Sequence, residues 1–219
     1  IDGGGTPFGT FDVGARTVVP ALRALGVGAL PLVVATHPDL DHVEGLLAVL
    51  RAFSVGALMV GHPAPDVPAY RALAEVAAAR GVPLLEARRG ARYRVGGAVL
   101  DVVHPEGRPR GEANADSVGL VLRWGNAPWA LLLGDAPAAV EATLPVPPTP
   151  VLLAPHHGSA SSSSGALLRA ARPRLAVVSV GVNRYGHPSP TVLARFEEAG
   201  VRVRTTREEG AVRVPYPPP

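Results

Sequence analysis

Cysteine is missing from the 219 residues, and with it go disulfides, thiolate metal sites and cysteine nucleophiles, so that any metal must be held by histidine and carboxylate. Lysine is missing as well: all 21 basic residues are arginine, a bias that GC-rich coding produces as readily as selection does. Set against 18 acidic residues they leave a formal charge of +3, which permits a basic groove for nucleic acid without demanding one, although guanidinium groups suit bidentate phosphate contact. Aromatic residues make up only 5%, with two tryptophans, which offers little for stacking bases. No apolar run reaches the roughly 20 residues that span a bilayer. What is plentiful is apolar residue, 47% of the chain and enough for a sizeable core, with 25 glycines and 24 prolines spread between the apolar runs. This is the composition of a turn-rich folded chain.

Short β-branched runs alternate with segments of helical periodicity, an α/β pattern. Residues 32–36 read as a buried strand, and Val43, Leu46, Leu47 and Leu50 recur at three- and four-residue spacing, which predicts a helix over 43–53. Further strands are expected at 57–60, 82–85, 98–103, 118–122, 130–133, 151–154, 176–180, 201–205 and 211–214, with helices near 68–80, 136–144, 165–171 and 190–199. Trp124-Gly125-Asn126-Ala127-Pro128 reads as a hairpin turn. Residues 145–150, stiffened by proline, read as a connector between two halves. The chain opens at Ile1-Asp2-Gly3-Gly4-Gly5 as if at the end of a strand. Residues 1–219 are therefore expected to form a single domain that lacks its first strands and is excised from a longer protein.

Thr36-His37-Pro38-Asp39-Leu40-Asp41-His42 packs four metal-type donors between a strand and a helix. Two imidazoles with two carboxylates suit zinc, manganese or iron. A solvated turn with Asp41 capping the helix would need one acid, not two acids bracketed by two histidines. Three other segments also follow apolar strands: Gly134-Asp135, Pro155-His156-His157-Gly158-Ser159 and Asn183-Arg184-Tyr185-Gly186-His187-Pro188. Each by itself would pass for a turn or a surface loop.

The first segment resembles the His-x-His-x-Asp-His signature of the metallo-β-lactamase superfamily, with Asp39 in place of the second histidine. That replacement resembles the ComEC competence-protein family, whose carboxyl-terminal domain carries Ser/Thr-His-Pro-Asp-x-Asp-His-x-x-Gly; Thr36 through Gly45 run in that order. The likeness extends from Ile1-Asp2-Gly3-Gly4 to the final strands. It implies a four-layer αββα metallo-β-lactamase-like sandwich of two mixed β-sheets flanked by helices. It also implies two divalent metal ions, manganese or zinc, held by His37, Asp39, Asp41, His42, Asp135 and one of the pair His156 and His157. Asp135 would be the bridge, since a shared carboxylate offsets the repulsion of two cations about 3.5–4 Å apart. His156 is preferred as the ligand because it comes first after the strand, which leaves His157 for substrate. His187 would stabilise charge or protonate a leaving oxygen, and Asp41 would be catalytic as well as a ligand. Ser117, His157, Ser159 and Asn183 are the residues expected at the substrate. Asp2 would support the loop without binding metal, and His62 and His104 read as structural. Where the superfamily supplies a third histidine this chain has Asn114-Ala115-Asp116-Ser117, so Asp116, Ser117 or water must fill that place. Together with Asp39, this harder ligand set tilts preference from zinc toward manganese.

The activity implied is hydrolysis of phosphodiester bonds in DNA, degrading the non-imported strand during uptake for natural transformation. The setting implied is the extracytoplasmic side of a cell-membrane protein, with single-stranded DNA and the membrane-channel portion of the same full-length protein as partners. Two other readings use the same residues. One is a metallo-hydrolase of a small ester, lactone or lactam, which a substrate panel separates. The other is a non-catalytic DNA-guiding module with a decayed metal site, which retained metal after dialysis separates.

Overall fold

Short strands separated by helices have the long crossovers that parallel pairing needs. The first unit of the protein, Ile1–Ala87 in a computed structural model that describes residues 1–6 and 11–215, follows this rule. After a π-helical turn (Gly14–Val18) and α1 (Val19–Ala24), β1 (Ala29–Leu30) pairs parallel with β3 (Ser54–Val55). Beside them in the chain, β2 (Val33–Val34), β4 (Leu58–Val60) and β5 (Leu84–Glu86) form a parallel three-stranded sheet in the order β2-β4-β5. The connecting helices are α2 (Leu40–Ala52) and α3 (Pro68–Ala79). The apolar stripe of α2 is buried as its spacing predicts: Val43 and Leu46 are 2% exposed and Leu50 is 0%. They share a core with Val33, Leu58 and Leu73, each such side chain contributing about 1.5–3 kcal/mol of burial.

The second unit begins at Arg88 and carries one mixed seven-stranded sheet in the order β12-β11-β10-β9-β8-β7-β6. Strands β6 (Arg92–Val95), β7 (Ala98–His104), β8 (Gly119–Trp124) and β9 (Ala127–Leu132) are antiparallel. The expected hairpin joins β8 to β9: Trp124 faces Ala127, and Gly125 takes the positive φ of 59° that a two-residue turn requires. From β9 the sheet turns parallel through β10 (Val151–Leu153), β11 (Leu175–Val178) and β12 (Arg202–Thr205). Its crossovers hold α4 (Ala138–Glu141), α5 (Gly165–Ala171) and α6 (Pro190–Glu198), and α7 (Thr206–Glu209) follows β12. Leu131, Leu152, Leu167, Val192 and Phe196 centre a separate core. Because β9, β10 and β11 run the same way, their carboxyl ends share one edge of the sheet, and the segments after them open from that edge.

Three expectations change. Arg92–Val95 forms a strand that the sequence hides, because it sits at a sheet edge with Arg92 and Arg94 exposed. Residues 211–214 form none, although the apolar Val-x-Val pattern is there. Residues 145–150 do not join two halves. They lie inside the second unit, where the Thr149 N–H donates to the Ala171 carbonyl and Thr149 is 1% exposed, while the boundary falls at Ala87 and Arg88. Proline had stiffened a packed crossover, which composition cannot distinguish from a connector.

Candidate metal centre

In the first unit the donor set sits where β2 gives way to α2, and Asp2 organises it. The Asp2 N–H donates to the Val34 carbonyl at 2.8 Å. Its carboxylate accepts from the Thr36 N–H and the Thr36 hydroxyl, both at 2.8 Å, and from His42 Nδ1 at 2.9 Å. With its proton given to Asp2, the Thr36 hydroxyl can only accept from His37 Nδ1, 2.9 Å away. Both imidazoles therefore carry the proton on Nδ1 and the lone pair on Nε2, the tautomer that a metal ligand needs. The two ring centroids lie 4.0 Å apart with the planes tilted by 51°, and His37 is 4% and His42 5% exposed.

Asp39 stands at the N-cap of α2 with extended backbone, yet its side chain makes no capping bond. An aspartate there forgoes about 1 kcal/mol. Its carboxylate lies instead 3.7 Å from His37 Nε2 and is half exposed. That spacing is too long for a hydrogen bond and suits two ligands that face a common cation. Asp41 lies in the first turn of α2, half-buried. Backbone holds the whole arrangement: the Gly3 N–H donates to the His42 carbonyl at 2.7 Å and the Gly45 N–H to the Gly4 carbonyl at 2.9 Å.

In the second unit the donors open from the shared edge of β9, β10 and β11. Asp135, 4% exposed, donates its backbone N–H to the Ser117 hydroxyl oxygen at 3.1 Å. Its Oδ2 lies 3.6 Å from His156 Nε2 and 3.8 Å from His157 Nε2. The two histidines are consecutive left-handed residues, with φ of 53° and 52°. Such backbone costs of order 1–3 kcal/mol per residue and persists only where surrounding structure imposes it. Its effect is to turn both imidazoles toward one carboxylate. His157 Nδ1 lies 2.8 Å from the Ser179 carbonyl, which only accepts, so this ring too keeps its lone pair on Nε2. His156 Nδ1 has the Ser161 hydroxyl at 3.4 Å.

His187 comes within 5.8 Å of the His156 ring, and burial lowers its pKa, aided by His156 and His157 and opposed by Asp135. Its loop is built by Asn183, whose Oδ1 accepts from the Tyr185 and His187 N–H groups at 3.0 Å and whose Nδ2 donates to the His187 carbonyl at 2.8 Å. Asn183 is thus spent on its own loop. Ser117 is fully buried, its hydroxyl on Asp135 and its carbonyl 2.7 Å from His104 Nδ1, so it steadies Asp135 from behind and offers no surface to a substrate. Asp116 gives its carboxylate to the Arg110 and Gly111 N–H groups, which leaves it no part as a substitute ligand. Ser159 is 9% exposed and lies 3.0 Å from the Ser161 hydroxyl. His62 lies 3.3 Å from Glu86. Sequence reasoning missed Glu141, 3% exposed, which accepts from the Ser163 and Ser164 N–H groups at 2.6 and 2.8 Å and so ties down the serine loop beyond His157. A lone glutamate among alanines carries no signal until its burial is seen.

The donor chemistry fits divalent cations: imidazoles whose Nδ1 partners leave the Nε2 lone pair for a ligand, with carboxylates among them. The family model for the metallo-β-lactamase superfamily matches residues 1–182. The chain belongs to that superfamily. Its parallel three-stranded and mixed seven-stranded sheets, with their flanking helices, are those of the superfamily fold, which the Thr36–Gly45 motif implied, although only one of the two sheets expected to be mixed is so. Over 211 residues, 94% of the chain, it is 28% identical to ComE operon protein 3 of Bacillus subtilis and 30% identical to competence protein ComA of Neisseria gonorrhoeae. It spans 27% and 28% of those relatives' lengths. The resemblance to ComEC-type competence proteins therefore extends over nearly the whole chain. Among solved structures, CmlA, a diiron β-hydroxylase from Streptomyces venezuelae, shares the fold with a TM-score of 0.53 at 13% identity, over 81% of this chain and 44% of that one. Among the described residues no helix is long and apolar enough to cross a membrane.

Proposed function

We propose that the protein is a metal-dependent phosphodiesterase that cleaves DNA, with divalent metals held by His37, Asp39, Asp41, His42, Asp135 and His156. The observation that carries this reading is Asp135: a nearly buried carboxylate faced by two imidazole Nε2 atoms at 3.6 and 3.8 Å, neither close enough to be its hydrogen-bond donor. Bound there, the metals supply Lewis-acid charge for the scissile phosphate and make water a competent nucleophile near neutral pH. The chain's own residues do the rest. Thr36 and Asp2 hold the His37 and His42 rings in the ligating tautomer, and Ser117 and the strained His156-His157 turn hold Asp135 between two imidazoles. Because two histidines face Asp135 equally well, the one not used as a ligand remains for substrate; we assign that part to His157. Burial lowers the pKa of His187, which favours this ring as a hydrogen-bond donor to phosphate.

The competence relatives support DNA as the substrate and a larger membrane protein as the setting. In that reading residues 1–219 are a single extracytoplasmic domain. It works beside the channel portion of the same protein and degrades the strand that is not imported. Asp39 in place of histidine favours manganese over zinc in activity, since carboxylate oxygen suits the harder ion. The test is a cleavage assay on single- and double-stranded DNA with metal-stripped protein reloaded separately with manganese and zinc, beside ester, lactone and lactam substrates. DNA cleavage that Asp135→Ala abolishes while the fold persists is the expected result. Turnover of a lactone or ester with none of DNA overturns it, and a protein that keeps no metal through dialysis is a guiding module instead.

A further inference from the structure

Four arginines gather around a groove of about 750 Å³ in the second unit: Arg169 on α5, Arg172 and Arg174 on the turn from α5 to β11, and Arg195 on α6. Glu198 is the one carboxylate in the groove's lining, and among the described residues none of the four arginines forms an ion pair. Arg169, Arg172 and Arg174 are exposed. Like charges so arranged repel one another and are held there against that repulsion.

A second, independent observation concerns Arg172. It ends α5 in the left-handed region, φ 47° and ψ 52°, a place where glycine is the common choice because a side chain strains there. A long cationic side chain is kept where the backbone would favour none. Arg195 links the groove to the candidate centre: its guanidinium donates to the Ser162 carbonyl at 2.9 Å and the Ala160 carbonyl at 3.3 Å, in the serine loop that continues from His156 and His157.

We propose that this groove binds the phosphodiester backbone of a nucleic-acid strand, independently of sequence, and leads it toward the His156-His157 turn. The lining holds no aromatic side chain, so nothing in it stacks on a base; it offers only cationic donors, which read phosphates and not bases. A small phosphate ester would not need four arginines along an open groove, whereas a strand presents a phosphate at every step. The proposal rests on the nucleic-acid reading above and assigns it a surface.

The experiment measures binding of a fluorescent single-stranded thymidine 20-mer in EDTA over a range of salt, so that it needs no catalysis. Three proteins are compared: wild type, R169Q/R172Q/R174Q, and R80Q/R94Q/R108Q, which removes the same charge from exposed positions elsewhere. The groove variant is expected to bind at least tenfold more weakly. Its salt slope should fall by about 2, at roughly 0.7 per lost phosphate contact, and the control variant should match wild type. R172G guards against a folding artefact: it relieves the left-handed strain, so its thermal midpoint should be no lower than wild type while its binding weakens. Equal affinity and slope in wild type and groove variant overturn the proposal, as does equal weakening by the control. Failure of the nuclease reading looks different: a wild type that binds the strand through the groove but cleaves no DNA when reloaded with metal.

Discussion

One carboxylate, that of Asp2, takes three hydrogen bonds and through them sets the tautomer of two histidines. Asp2→Asn keeps the size but presents an N–H₂ where an acceptor is needed, so His42 loses its orienting partner. Partners of this kind are worth about 10–100-fold in metal affinity, and that is the loss expected in a competition titration against a chelator. An unchanged affinity in the folded variant would show that Asp2 does not orient the ring. His187 supplies a second test, in pH. Burial lowers its pKa, with His156 and His157 adding to the effect, so near the unfolded value of about 6.5 the folded protein holds fewer protons than the unfolded one. Stability is therefore whole above that pH and declines as pH falls through the window below it. In metal-free protein the urea midpoint should drop more steeply on acidification in wild type than in His187→Gln; superimposable profiles would remove this account of His187.

At the scale of elements, the amino-terminal segment and α2 come closest at two glycines, Gly3 and Gly45. A Cβ at Gly45 would fall inside contact distance of the Gly3 carbonyl oxygen, and one at Gly3 would meet the backbone of Gly45 and Leu46. This is the physical content of the glycine that closes the Thr36–Gly45 motif: it admits the segment that carries Asp2. Gly45→Ala should cost about 1–3 kcal/mol by overpacking, read from urea unfolding, and should weaken metal binding because Asp2 moves with Gly3. Wild-type stability in that variant would mean the segment is not held as described. In the second unit the corresponding device is α4, whose Glu141 fastens the Ser163 and Ser164 amides although burial pushes its carboxyl pKa up.

For the molecule as a whole, bound metal is folding energy, because the unfolded chain has no ordered set of ligands. At a free metal concentration 100 times the dissociation constant the stabilisation is about 2.7 kcal/mol. For a chain of this size each kcal/mol moves the melting midpoint by roughly 2–4 °C, so chelation should lower it by roughly 5–11 °C. The same treatment should leave Asp135→Ala nearly unmoved, and an equal shift in both proteins would take Asp135 out of the ligand set. Much of this molecule was legible beforehand, and the reason is local. Strand, helix and hairpin at 98–104, 165–171 and 124–128 follow from periodicity and turn chemistry within a few residues, and four donors between His37 and His42 are too dense for a turn. Everything that depended on a partner distant in the chain was not. The edge strand Arg92–Val95, the packing of 145–150, the burial of Ser117 behind Asp135 and the role of Glu141 are settled by what lies 18 or 22 residues away or across a sheet. The sequence determined which donors the chain can offer, since donor type is a property of each side chain. Only the tertiary structure decided their protonation and direction, because the Nδ1 partners of His37, His42 and His157 are a neighbour's hydroxyl, a carboxylate 40 residues away and a carbonyl on another strand's end.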